Sequence, residues 1–198
     1  MPTSVIPAFV LYCFITSITP GPANLCSLSA SMHYGTAAAL RQWRGLITGF
    51  FIDAMAAVLL NRLLGSVLGE YVRYLTWIGA AYILWMAWHM LRSAGGDPAE
   101  ETRQPSFRTG LLINLTNGKV ILFCVTTLSA YVLPYTDSWA WLIGTALFLV
   151  LIGPSCCLVW IFAGAKLKAL FARHQKTADI VMAVALALCA VNLVVPLW

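Results

Sequence analysis

Thr19-Pro20-Gly21-Pro22-Ala23-Asn24 interrupts an apolar stretch that otherwise runs from about Val5 to Ser31. Proline has no backbone N–H and clashes with the carbonyl four residues before it, so no helix passes unbroken through Pro20-Gly21-Pro22. The pattern predicts one half-helix ending near Thr19 and another starting near Pro22. Proline is tolerated at a first helical position because its missing N–H would have been unpaired anyway. The second half-helix presents the N–H groups of Ala23 and Asn24 and the positive end of its dipole, which suit a carboxylate. The first leaves free carbonyls, which suit an ammonium group. A zwitterion taken into low dielectric needs partners for both charges, and a broken helix offers both. A proline kink without a ligand is the alternative reading of the same residues.

A second constellation is Asn114-Leu115-Thr116-Asn117-Gly118-Lys119. Asn114 and Asn117 are three apart and share a helix face, with Lys119 just beyond. They suit amide contacts and a fixed positive charge, or else interhelical cross-links and a lysine snorkelling to the interface. Asp53 is the carboxylate placed well inside an apolar segment. Such groups are expensive in lipid and usually face a cavity or a partner, so Asp53 reads as a proton-coupling site or as half of a salt bridge to Lys119 or Arg62. Gly45 and Gly49 form a small-xxx-small pair that suits a helix contact. Gly153-Pro154 is a hinge or a kink. His33 and His89 read as solvated near an interface.

Six cysteines, Cys13, Cys26, Cys124, Cys156, Cys157 and Cys189, show no C-x-x-C spacing and read as small packing residues. A membrane thiol oxidoreductase would need paired, exposed thiols, whereas Cys156 and Cys157 are adjacent within an apolar helix. No glycine-rich nucleotide loop, metal-ligand cluster or Ser/His/Asp set is visible, so neither an enzyme nor a cofactor is expected. A non-transporting membrane partner subunit is a further alternative, whose mark would be a large exposed apolar face and no cavity between the halves.

The elements that must position these residues are membrane helices. Of 198 residues, 61% are apolar and 10% charged, and mean hydropathy is +0.83, far from soluble-domain averages. With roughly 20 apolar residues per span, the chain holds about six transmembrane helices in a single all-α domain over 1–198 and no separate soluble domain. Apolar segments lie at about Val5 to Ser31, Thr36 to Leu60, Tyr74 to Leu91, Thr109 to Leu133, Trp139 to Ala165 and Ala178 to Val195. The first carries no basic leader and no cleavage site, and reads as a retained helix. Arg41, Arg44, Arg92, Arg103, Arg108, Lys166, Lys168, Arg173 and Lys176 fall at the odd-numbered connections. That bias puts those connections in the cytoplasm and both termini outside, and accounts for the net charge of +5 without nucleic-acid binding.

A polar, breaker-rich linker over 93–105 divides the chain into half-repeats of about 1–92 and 106–198. Three helices per half means that the second half enters the membrane in the opposite sense, as an inverted repeat requires. Gly118 lies 97 positions after Gly21, so helices 1 and 4 are expected to be broken at equivalent places.

These features resemble the lysine exporter and homoserine/threonine exporter (LysE/RhtB) superfamily of bacterial amino-acid effluxers along most of the chain. The likeness is carried by Pro20-Gly21-Pro22, by Arg44-Gly45 with Gly49, by Gly79-Ala80-Ala81-Tyr82-Ile83-Leu84-Trp85, and by Asn114-Leu115-Thr116-Asn117-Gly118-Lys119. Within it, the segments Leu75 to Trp88 and Val125 to Pro134 look like those of the cysteine and O-acetylserine exporter group. Two departures stand out: Gly118 replaces the family's usual proline, and an acidic residue common soon after the second-helix glycine is absent at Phe50, with Asp53 about one turn later. The resemblance implies a secondary exporter in the bacterial inner membrane. Its substrates would be small neutral amino acids or derivatives, cysteine or O-acetylserine first and threonine or homoserine next. Its partners would then be substrate and lipid, with self-association open.

Overall fold

The computed structural model of the chain describes residues 3–19, 21–93 and 104–173, and positions 177, 180, 181, 184, 187 and 191 beyond them. Pro20, residues 94–103 of the linker, Cys189 and most of the predicted sixth helix lie outside the described residues. All the described secondary structure is helical. A short 3-10 turn, Thr3–Val5, leads into α1 (Ile6–Ile18), α2 (Pro22–Tyr34), α3 (Thr36–Ser93), α4 (Phe107–Leu115), α5 (Gly118–Tyr131) and α6 (Trp139–Arg173).

Both predicted breaks are present. Helix α1 stops at Thr19, whose N–H still reaches the Ile15 carbonyl at 3.0 Å and whose hydroxyl donates to the same oxygen. Helix α2 restarts at Pro22 behind an extended Gly21 and lies at 46° to α1. The second break, 56° between α4 and α5, has no proline. Instead Asn117 is the N-cap of α5, its Oδ1 accepting from Lys119 N–H at 3.2 Å, which satisfies one of the orphan amides of a helix start. Gly118 therefore needs no proline beside it.

Helix α2 ends on Gly35, whose φ of +83° is natural for glycine and strained for other residues. The chain turns there directly into α3. Where the sequence predicts two helices, Thr36–Leu60 and Tyr74–Leu91, the structure has one continuous helix of 58 residues. No proline occurs between Leu60 and Tyr74, and charged residues mark an interface without breaking a helix. Within α3, Thr36–Leu63 is long and apolar enough to cross a bilayer core of about 30 Å.

The elements close up through glycine. A Cβ on Gly45 would run into the Phe107 carbonyl, and one on Gly110 into the Gln42 carbonyl, so the α3 and α4 backbones touch. The Gly45/Gly49 pair is thus a helix contact. Gly164 lets α6 approach the Leu28 carbonyl of α2 in the same way. Phe9, Phe50, Phe123, Leu128, Leu142 and Leu149 are buried where α1, α3, α5 and α6 meet. The outward surface is apolar too, with Leu63 76% and Leu151 70% exposed, an arrangement suited to lipid. Thr36–Leu63 and Trp139–Lys166 are each long and apolar enough to cross a membrane, and each bent pair would make one further span. The chain is a helical membrane protein.

Candidate functional site

The two breaks face one cavity. Its empty volume is about 450 Å³, and Gly21, Ala23 and Asn24 from the first break meet Asn114, Asn117 and Lys119 from the second around it. Thr16 and Ser17 of α1, Phe50 of α3 and Gly153, Pro154 and Cys157 of α6 complete the lining. Seven of the eight residues singled out for binding come into play here: six line the cavity, Pro22 starts the helix behind them, and Pro20 lies outside the described residues.

Two helix N-termini open on this space. Helix α2 begins without a side-chain cap, so the positive end of its dipole is left to whatever fills the cavity. Helix α5 begins at Gly118 with Lys119 in its first turn. Asn114, 1% exposed, lines the cavity with its Nδ2 lacking a hydrogen-bond partner among the described residues, and Ser17 Oγ is in the same position. Buried polar groups are rarely left unpaired. Unpartnered polar atoms, a lysine and an uncapped helix start thus meet at this pocket.

The C-terminal end of α1 departs from expectation. Its carbonyls are occupied rather than free. Asn24 Nδ2 donates to Ser17 O and Thr19 O, both at 2.9 Å. Trp160 Nε1 donates to Ile18 O at 3.1 Å, and Lys119 Nζ donates to Thr19 O at 2.8 Å. The physical reason is the one that suggested a site: broken backbone inside lipid must be satisfied by protein. Asn24 also accepts from Cys157 Sγ at 2.9 Å. Cys157, read from sequence as packing, is therefore a member of the cavity wall, and nothing in its local sequence marks it.

Asp53 does not line the cavity. It lies about one turn beyond Phe50 on α3, 9% exposed, with Oδ2 unpartnered among the described residues. Asp53, Ala57 and Asn61 form one stripe along the helix. Asn61 meets α5 through its Nδ2 to Val125 O at 3.4 Å and the Ser129 hydroxyl donating to its Oδ1 at 2.6 Å. The salt bridge to Arg62 is not formed, because Arg62 turns to Asp137 at 3.9 Å and stacks on Trp139. The five described cysteines are free, four of them buried. His33 Nδ1 lies 3.0 Å from its own helix's Ser29 carbonyl; the His89 side chain lies outside the described residues.

Aromatic rings extend from the cavity lining. Phe50 and Phe123, 6.5 Å apart, lead to Tyr12, stacked on Tyr131, and on to Phe9 and Phe148. A second cavity opens between α2, α3 and α4, lined by Cys26, Ser29, Tyr34, Gln42, Thr109 and Thr116 among others.

This geometry sits in a chain whose residues 14–196 match the LysE type translocator family. The chain belongs to the LysE family. Among similar proteins, the cysteine/O-acetylserine efflux protein of Klebsiella pneumoniae subsp. pneumoniae is 35% identical over 195 residues, covering 98% of this chain and 100% of the relative. The protein of the same description from Escherichia coli K12 is 33% identical over 193 residues, covering 98% and 99%. No solved structure gives a significant match. Membership of a translocator family fits a non-enzyme.

Proposed function

We propose that this protein is a secondary-active exporter of small neutral amino acids or their derivatives in the bacterial inner membrane, with cysteine or O-acetylserine the leading substrate and threonine or homoserine next. The observation that carries the reading is the convergence of two helix breaks, a lysine and an unpartnered asparagine amide on one cavity within a membrane fold. In this reading the substrate carboxylate sits between the N-termini of α2 and α5, held by the Ala23 and Asn24 amides, Asn114 and Lys119. The α-ammonium sits toward the α1 C-terminus. The small side chain faces Phe50, Phe123 and Cys157. The full-length relatives described as cysteine/O-acetylserine efflux proteins support the choice of substrate.

Access to the cavity alternates between two flanks in this reading. The aromatic packing of Phe123, Tyr12 and Tyr131 forms one gate, and the polar space near Gln42 and Thr109 forms the other entrance. By the distribution of Lys and Arg, the polar entrance is cytoplasmic and both termini are periplasmic. The two bent pairs support an inverted repeat. Protons are the coupling ion and Asp53 carries them, since an intramembrane carboxylate with an unpartnered oxygen is a default candidate for that task. Counterflow of labelled amino acids in proteoliposomes, with and without a pH gradient, tests the reading. Cysteine, O-acetylserine or threonine should exchange, and an outward flux should respond to the gradient. Failure of every neutral amino acid to exchange would reject it.

A further inference from the structure

Four donor contacts reach the carbonyls at the end of α1, and one differs in kind. Asn24 and Trp160 are neutral and held on short or rigid side chains. Lys119 brings a full positive charge on a flexible stem from 100 residues away, and that stem lies over Gly21, where an added Cβ would come within 2.9 Å of Lys119 Cδ. Lys119 is also at the wrong end of its own helix. It occupies the first turn of α5, where the dipole disfavours a cation, while its ammonium rests on the negative end of α1, where the dipole favours one.

An ammonium group is thus already docked where the site would take the ammonium of an amino acid. We infer that Lys119 is a built-in occupant of the ammonium subsite, resting on the Thr19 carbonyl while the cavity holds no carboxylate and leaving it when one arrives. This deepens the exporter reading and rests on it for the identity of the natural ligand. A carboxylate bound at the start of α2 lies near Lys119 and gives its charge a better partner, since charge-assisted pairs are the stronger ones. Departure of Lys119 opens the Thr19 oxygen to the incoming ammonium. One ammonium replaces another, and the broken backbone stays satisfied throughout.

The exchange makes the site select zwitterions. A carboxylate alone draws Lys119 away and leaves the Thr19 oxygen with Asn24 as its remaining donor, and an amine alone meets a carbonyl that already holds both Asn24 and Lys119. Each half-ligand should bind about tenfold or more worse than the pair acting together, the scale of one hydrogen bond to a charged group.

The test uses purified full-length protein and thermal unfolding, with ethylammonium chloride and sodium acetate as probes and sodium chloride matching ionic strength. In the unaltered protein, ethylammonium alone should not raise the melting temperature, whereas ethylammonium with acetate should raise it by more than the two separate effects combined. In Lys119→Ala, where Asn24 alone still donates to the Thr19 oxygen, ethylammonium alone should stabilise, and acetate added to it should bring no more than its separate effect. Equal responses of both proteins to ethylammonium, or purely additive effects in the unaltered protein, would overturn the inference. If Lys119→Ala does not fold, the cooperativity measurement on the unaltered protein decides alone. Cooperativity in a protein that exchanges no amino acid would sink the exporter reading and keep the subsite. Exchange without cooperativity would do the reverse.

Discussion

Asn24→Leu removes the hydrogen bonds that tie the first break together while keeping side-chain volume close to the original. Three contacts go: Asn24 to Ser17 O and to Thr19 O at 2.9 Å each, and Cys157 to Asn24 at 2.9 Å. Interhelical hydrogen bonds in membranes average about 0.6 kcal/mol, so the three together come to about 2 kcal/mol. Thr19 O keeps Lys119, but Ser17 O loses its recorded donor, and a stranded buried acceptor costs about 1–3 kcal/mol in its own right. The sum is about 3–5 kcal/mol. At roughly 2–4 °C per kcal/mol for a chain of this size, the melting temperature should fall by about 6–20 °C. The eight tryptophans allow unfolding to be followed by intrinsic fluorescence in detergent. Asn24→Ala should fall further, because it adds a cavity. A melting temperature for Asn24→Leu within about 2 °C of the unaltered protein would refute the claim that this side chain holds the break.

Other expectations follow from the same geometry. Gly110→Ala should cut the yield of folded protein and cost about 1–3 kcal/mol, because its Cβ meets the Gln42 backbone; a normal melting temperature would show that α3 and α4 do not touch there. Asp53→Asn should insert normally and abolish the response of export to a pH gradient, since the amide keeps the shape but cannot carry a proton; gradient-driven export at the original rate removes Asp53 from coupling. A cysteine placed at Thr177 in a Cys-free background should resist an impermeant thiol reagent in whole cells, while one at the exposed Asp137 should react. The reverse pattern would invert the topology.

What was legible in the sequence is what local chemistry decides. Pro20-Gly21-Pro22 forbids a continuous helix whatever surrounds it, and Asn117-Gly118 carries its own cap, so both breaks could be read directly. The join of the second and third predicted helices could not, because Asn61, Arg62 and Arg73 look like an interface while Gly65 and Gly69 are too permissive to stop a helix. The occupants of the α1 carbonyls were hidden for a different reason. Lys119 and Trp160 are 100 and 142 residues from their acceptors, and no local pattern records such a pairing. Cys157 is 133 residues from Asn24 and sits in an apolar run where any small residue would look at home.

The central claim is that the break at residues 20–22 forms the binding site. Replacing Pro20, Gly21 and Pro22 together by Ala permits a continuous helix and withdraws the free amides at the start of α2. Counterflow of labelled cysteine in proteoliposomes, at matched amounts of folded protein, measures the consequence. The account predicts exchange by the unaltered protein and none above empty vesicles by the triple variant. Undiminished exchange by a folded triple variant would contradict it.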